Sequence, residues 1–175
     1  FLTGLLPIVR ATLAFNELDF KEDDQRIRPT SMLDFPAWSG PPLRDYQEQV
    51  VRAAPKPGRG IIRVGTGGGK TVIAGKLIAD LRVPTLFLVH RKELAEQTTT
   101  RLHEWLYQTF STLKIGTIGL GAWDPQPITV AMIQTLYARL KSDPKGTRAF
   151  LNSRQLVIAD ECHRGGADSW SKVLQ

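Results

Sequence analysis

The chain has 175 residues, of which 42% are hydrophobic, and its formal net charge is +6. This length and composition suit one domain with a packed core and a small appendage, and they exclude wholesale disorder. We expect no membrane partner, because no apolar run approaches the ~20 residues of a membrane-spanning helix and no signal-like segment begins the chain. A single cysteine, Cys162, excludes an internal disulfide and suits an intracellular location.

The charge is unevenly distributed along the chain. Residues 17–24 contribute −4, so the remaining residues carry +10. A basic body suits a polyphosphate partner such as a nucleic acid, although ordinary solubility would also account for it.

The chain divides into three parts. Residues 1–28 are predicted to form a helix and a charged strand of a small accessory domain, and the proline-rich residues 29–42 a linker. From residue 43 to 175, apolar strands alternate with amphipathic helices, which predicts an α/β domain whose parallel sheet is covered by helices on both faces. The predicted helices cover 43–54, 71–81, 92–109, 133–140 and 148–152, and the predicted strands cover 61–64, 85–89, 114–118, 128–131 and 155–159.

A glycine-rich turn between a predicted strand and a predicted helix is the strongest local signal. Its residues are Gly65, Thr66, Gly67, Gly68, Gly69, Lys70 and Thr71. Glycines let successive N–H groups point at one anion, and the following helix adds a partial positive charge. Lys70 would reach the β- and γ-phosphates of ATP, and Thr71 would hold Mg²⁺. The alternative is a flexible turn with a solvated lysine, and Val64 stands where the full pattern has glycine.

A second signal is the pair of acids that ends the last predicted strand. Carboxylates there reach the edge of an open α/β sheet where ligands bind. Asp160 would hold Mg²⁺ through water, and Glu161 would orient and deprotonate the attacking water. The alternative is a solvated acidic turn. Cys162 is interpreted as a packing residue, since a zinc site would need more ligands than one cysteine, and His163 could be an ordinary surface histidine.

The sequence Asp-Glu-Cys-His at 160–163, together with residues 65–71, resembles motifs II and I of superfamily 2 helicases of the DExH type. The resemblance implies a RecA-like P-loop domain, incomplete at its C-terminus. Residues 43–47 look like the element in which a glutamine reads adenine, so Gln47 would bind adenine with Arg44 in support. The resemblance also implies a coupling role for His163.

Two further segments resemble the motifs that touch the nucleic-acid backbone in this family. Residues 86–97 look like motif Ia, and residues 128–136 are similar to the next such motif, with Met132 where threonine is frequent. The implied contacts are His90, Arg91, Gln134 and Thr135. Arg91 could instead be a solvated residue at a helix start.

The resemblance covers residues 43 to about 170 and is nearest to phage and bacterial duplex-processing helicases. It implies an ATP-dependent helicase or translocase that acts on nucleic acid, with DNA favoured over RNA, in the cytoplasm of a bacterial or phage-infected cell or in another intracellular setting. The family continues with a motif III and a second RecA-like domain that supplies arginine fingers. We therefore expect residues 1–175 alone to be nearly inactive.

Other functions fit parts of the same pattern. A nucleotide-dependent sensor module or the motor subunit of a restriction enzyme would carry the same motifs. A P-loop kinase is disfavoured by Gln47 and by the water-activating Glu161. Residues 1–28 resemble the end of a small N-terminal domain found in some of these helicases, or they form a purely structural appendage.

Overall fold

A computed structural model of the chain describes residues 6–19, 21, 33, 38–55, 58–106, 113–160 and 168–174. These residues contain seven helices and five strands. The helices are α1 (Leu6–Phe15), α2 (Asp45–Ala53), α3 (Lys70–Leu81), α4 (Lys92–Leu106), α5 (Ile133–Ser142), α6 (Pro144–Asn152) and α7 (Asp168–Leu174), and the strands are β1 (Thr85–Val89), β2 (Ile115–Gly119), β3 (Ala122–Trp123), β4 (Ile128–Met132) and β5 (Leu156–Ala159).

The five strands form one sheet in the order β3-β2-β4-β1-β5. Strands β2, β4, β1 and β5 run parallel, whereas β3 is antiparallel to β2. Ala131 in β4 is level with Ile118 in β2 and with Leu88 in β1, and Leu88 is level with Ala159 in β5. The carboxyl ends of the four parallel strands therefore meet along one rim of the sheet, where open α/β sheets bind their ligands.

Both faces of the sheet are covered by helices, as predicted. Alternate residues of β1 point to opposite faces. Phe87 and Val89 pack with the buried side chains of α3 and α4, and Leu86 and Leu88 pack with those of α5, α6 and α7. All five residues of β1 are buried, and four of them are apolar, as is typical of a central parallel strand that is covered on both faces.

The predicted strand at 61–64 is wrong. These residues have no regular secondary structure, and 82% of the Ile61 side-chain and backbone surface is exposed. An apolar run shows that a segment can be a strand, but a strand exists only where it pairs. Within the part of the chain that the structure describes, β5 pairs with β1 alone, and Val157 in β5 is exposed.

The predicted charged strand near the start of the chain is absent from the described residues of that segment. Residues 17–19 and 21 are irregular, while residues 20 and 22–24 lie outside the described residues. Glu17, Asp19 and Lys21 are exposed, so these charged side chains are not buried against a sheet. Glu17 has a φ of 52°, a left-handed conformation that is common just after a helix and ends α1.

The other predicted boundaries that fall within the described residues shift by small amounts, with one exception, while the predicted end of the helix at 92–109 lies outside the described residues. Helix α6 begins at Pro144, four residues before the predicted start at Arg148. The Asp143 side chain accepts a hydrogen bond from the Gly146 N–H at 3.0 Å, and proline suits the first helical position because its missing N–H would have no partner there. Strand β3 and helix α7 were not predicted. No helix among the described residues is long and apolar enough to cross a bilayer.

Candidate functional site

The glycine-rich turn before α3 forms an open cradle. Gly67 and Gly69 have φ values of 75° and 76°, and the Gly68 N–H donates to the Gly65 carbonyl at 3.1 Å. Helix α3 begins at Lys70 with Gly69 as its N-cap, so it has no side-chain cap. The N–H groups of the first turn therefore remain available to an anion. Lys70 is exposed and Thr71 is half-buried.

The cradle is closed on the protein side and open on the other. A Cβ added to Gly69 would lie 2.4 Å from Gln47 Nε2, and one added to Gly68 would lie 2.3 Å from Val64 Cγ1. A Cβ on Gly65 or Gly67 would have no neighbour within 4 Å. The open side at Gly65 and Gly67 could accept a phosphate group. Glycine suits these positions because it has no Cβ and therefore lets the backbone N–H groups approach the phosphate closely.

Helix α2 holds this cradle in place through two side chains. The Tyr46 hydroxyl donates to the Gly68 carbonyl at 2.8 Å, and Gln47 Nε2 donates to the same oxygen at 3.0 Å. Gln47 Oε1 accepts a hydrogen bond from the Arg44 N–H at 2.9 Å, and Gln47 is 4% exposed. The structure thus brings Gln47 against the glycine-rich turn, with Arg44 bonded to Gln47, and in this state the Gln47 amide supports the turn. Adenine recognition by Gln47 stays a prediction.

Tyr46 is a residue of this site that the sequence analysis did not single out. Its position between Arg44 and Gln47 in the adenine-reading element was the available signal. An open pocket of about 630 Å³ lies between α2 and residues 63–68, with Tyr46 and Val50 on one side and Arg63 on the other. A volume of this size is ordinary for a small-molecule site.

The Tyr46 hydrogen bond can be tested directly. We expect Tyr46→Phe to weaken ATP binding roughly 2- to 10-fold, because the net value of one hydrogen bond is about 0.5–1.5 kcal/mol and Gln47 Nε2 alone would then hold the Gly68 carbonyl. The measurement is the Kd for a fluorescent ATP analogue. Tyr137→Phe, in α5, is the matched control and should leave the Kd unchanged. Equal affinity in Tyr46→Phe and the parental protein would contradict a supporting role for Tyr46.

The acidic end of the site is described only in part. Asp160 follows β5 at the rim, is half-buried, and donates its backbone N–H to the Leu88 carbonyl at 3.0 Å. Glu161 and His163 lie outside the described residues, as does Cys162. Thr71 would bind Mg²⁺ through its hydroxyl, and Asp160 would hold the ion through water. Few direct protein ligands suit Mg²⁺, which keeps several waters and binds phosphate oxygens.

The four proposed nucleic-acid residues lie together on the rim. His90 and Arg91 follow β1, and Gln134 and Thr135 lie in the first turn of α5, which follows β4. Gln134 Nε2 donates to the His90 carbonyl at 2.9 Å and links the two turns. Arg91 and Gln134 are exposed, whereas His90 and Thr135 are half-buried. Since β5 flanks β1 on its other side, Asp160 and this group lie next to each other along the rim.

Comparison with known proteins places this arrangement in a family. Residues 41–175 match the family described as Type III restriction enzyme, res subunit. The chain belongs to this family. The match covers the glycine-rich turn, the acidic pair and both rim segments, so the predicted membership of the superfamily 2 helicases is confirmed.

Individual relatives agree with the family. Over 157 residues the chain is 38% identical to the putative ATP-dependent helicase IRC3 of Saccharomyces cerevisiae, covering 78% of this chain and 21% of IRC3. It is 33% identical over 133 residues to the DNA 3'-5' translocase XPB2 of Sulfurisphaera tokodaii, covering 76% of this chain and 28% of XPB2. The chain therefore spans about a quarter of the length of these relatives.

A solved structure supports the same fold. The UvsW helicase of bacteriophage T4 superposes with a TM-score of 0.62 at 18% identity, covering 98% of this chain and 75% of UvsW. At this identity the likeness concerns the fold alone. It confirms the predicted α/β domain of the RecA-like type.

Proposed function

We propose that the protein is an ATP-dependent nucleic-acid helicase or translocase and that this chain is its ATP-binding part. The observation that carries the proposal is the arrangement along one sheet rim. Asp160 follows β5, and two linked turns with exposed polar side chains follow the neighbouring strands β1 and β4. The open glycine cradle at the start of α3, with its exposed lysine, supports the same function. Nucleotide chemistry and a second ligand can therefore meet at neighbouring strands.

Each residue of the nucleotide site has a role in the proposed reaction. Lys70 and the first N–H groups of α3 would hold the phosphates. Thr71 and Asp160 would hold Mg²⁺, which supplies charge neutralisation at the reacting phosphate. Glu161 would accept a proton from the attacking water. The glycine cradle and the rim position of Asp160 support these assignments.

Several features favour DNA as the nucleic acid and a motor as the use of ATP. One relative carries the name DNA 3'-5' translocase, and the chain outside residues 17–24 is strongly basic. We infer a second RecA-like domain elsewhere in the complete polypeptide, because closure of two domains would complete the cleft around ATP. The single cysteine supports an intracellular, cytoplasmic setting.

A restriction-enzyme motor subunit is the second candidate, because the matching family is described as the res subunit of such enzymes. It shares the same ATP-driven step. Cleavage of DNA by the complete protein would favour this candidate over a helicase that acts alone.

The nucleic-acid part of the proposal rests on backbone contacts from the rim. We expect Arg91→Gln to weaken DNA binding and to reduce the slope of log Kd against log salt concentration by about 0.7–0.9, since one phosphate contact is lost. The loss should be similar for unrelated DNA sequences, because backbone contacts carry no sequence information. Arg82→Gln is the matched control, because Arg82 precedes the amino end of β1 and so lies away from the rim. An unchanged salt slope in Arg91→Gln would mean that Arg91 is only a solvated helix-start residue.

The direct test of the function is whether nucleic acid accelerates ATP turnover by the complete protein. A nucleotide-dependent sensor would bind both ligands without a large acceleration of turnover, whereas a motor requires it.

A further inference from the structure

The turn between β2 and β3 carries a leucine in an unfavourable backbone conformation. Ile118 pairs with Trp123 and Gly119 pairs with Ala122, so Leu120 and Gly121 form a two-residue turn. Their φ values are 57° and 82°, the pattern of a type I′ turn, in which Asn-Gly is preferred. Leucine is disfavoured there because its Cβ approaches a carbonyl oxygen in the left-handed region.

The other residues of this kind have an ordinary explanation. Among the described residues, Glu17 and Arg82 are the other non-glycine residues with positive φ. They follow the ends of α1 and α3, where a left-handed residue commonly terminates a helix. Leu120 terminates no helix, and the turn itself would accept asparagine. Strain that the backbone does not require is typical of positions where the side chain has a function.

The base of the hairpin is firmly packed. The Trp123 ring lies 5.6 Å from the Phe150 ring, centroid to centroid, and the Arg139 guanidinium lies 4.0 Å from the Trp123 ring. A Cβ on Gly119 would lie 2.8 Å from Met132 Cγ, so the turn also abuts the start of α5. Leu120 nevertheless remains 41% exposed. The hairpin thus presents an apolar side chain at a fixed position.

That position continues the row of proposed nucleic-acid contacts. Leu120 follows the carboxyl end of β2, Gln134 follows β4 and His90 follows β1, and these strands are neighbours in the sheet. Asp160 follows β5, so Leu120 and Asp160 lie at opposite ends of the row. Of the exposed large apolar side chains in the described part of the chain, Leu120 alone follows the carboxyl end of β2, β4 or β1.

We propose that Leu120 packs against the apolar face of a base or sugar of the nucleic-acid strand that lies along the rim. This inference rests on the proposed nucleic-acid function. Charged and polar groups at Arg91 and Gln134 hold the phosphates, and that contribution weakens with salt. Leu120 adds an apolar contact that salt does not screen, in a position where the hairpin prevents it from moving aside.

The test is Leu120→Asn in the complete protein. Asparagine suits the turn, so we expect the thermal midpoint to equal or exceed the parental value. We expect the Kd for a fluorescein-labelled oligodeoxythymidine, measured by anisotropy, to rise roughly 3- to 10-fold, the loss that corresponds to removing part of a buried leucine contact. The slope of log Kd against log salt should stay unchanged, because no charge is removed.

Two controls make the result decisive. Leu174→Asn removes another exposed leucine, in α7, which is 50% exposed, and it should leave the Kd unchanged. A parental Kd in Leu120→Asn would overturn the Leu120 contact while the proposed function stands. A lowered thermal midpoint accompanying weaker binding would also overturn it, because Leu120 would then be structural. If the parental protein bound no oligonucleotide at all, the proposed function itself would fail.

Discussion

Glu161→Gln is expected to lower ATP turnover by about 10²–10⁴-fold, the usual contribution of a positioned general base, while ATP still binds. The substitution removes the group that deprotonates water but keeps its size, and Asp160 remains to hold Mg²⁺. The measurements are steady-state ATP turnover with saturating nucleic acid and the Kd for a fluorescent ATP analogue, both on the complete protein.

The matched control for this prediction is Glu104→Gln, which neutralises an exposed carboxylate in the last turn of α4. It should leave both measurements at their parental values. Parental turnover in Glu161→Gln would remove Glu161 from the reaction. Loss of ATP binding together with turnover would instead assign it to the binding of Mg²⁺ or phosphate.

Lys70→Ala is expected to abolish detectable turnover and to weaken ATP binding roughly 10- to 100-fold. The loss corresponds to charge-assisted hydrogen bonds worth about 1.5–3 kcal/mol, with the N–H groups of α3 still holding the phosphates. Turnover suffers more because the lysine also stabilises charge that develops on the transferred phosphoryl group.

Lys76→Ala is the control on the same helix. The half-buried Lys76 pairs with the exposed Asp80 one turn along α3, and an ion pair of this kind within a helix contributes little to stability, so turnover should stay at the parental rate. If Lys70→Ala hydrolysed ATP at that rate, the glycine cradle would be a flexible turn with a solvated lysine.

The central part of the fold was predictable because its signals are local. Strand β1 was predicted at its observed bounds, since five successive apolar or β-branched residues suit a strand that is buried on both faces. Helix α3 was predicted to within one residue, because its buried residues recur with helical spacing between a glycine and Arg82.

The errors come from pairing and from turns. The strand expected at 61–64 needed a partner, and pairing is a long-range property that composition does not reveal. Strand β3 was missed because the turn before it is Leu-Gly, and the usual hairpin signal is Asn-Gly or Asp-Gly. The start of α6 was missed even though Asp143-Pro144 is an N-cap followed by a first-position proline.

The candidate site likewise contains residues that could be recognised from the sequence and contacts that could not. The glycines, Lys70 and Asp160 were recognisable because they are contiguous in sequence or end a strand, and their residue types carry the chemistry. The hydrogen bonds from Tyr46 and Gln47 to the Gly68 carbonyl join positions about twenty residues apart. Leu120 has no motif, and only its left-handed backbone at the rim distinguishes it.

Steady-state ATP turnover by the complete protein is the measurement that most directly tests whether ATP hydrolysis at this site drives movement on nucleic acid. Turnover should be measured without nucleic acid and with single-stranded DNA, double-stranded DNA or RNA, with Lys70→Ala as the blank. We predict that DNA accelerates turnover at least roughly 10-fold, more than RNA does, because nucleic acid on the rim favours closure of the cleft around ATP. If no nucleic acid altered the turnover, and Lys70→Ala abolished it, the protein would be an ATPase without a nucleic-acid motor, which would contradict the proposed function.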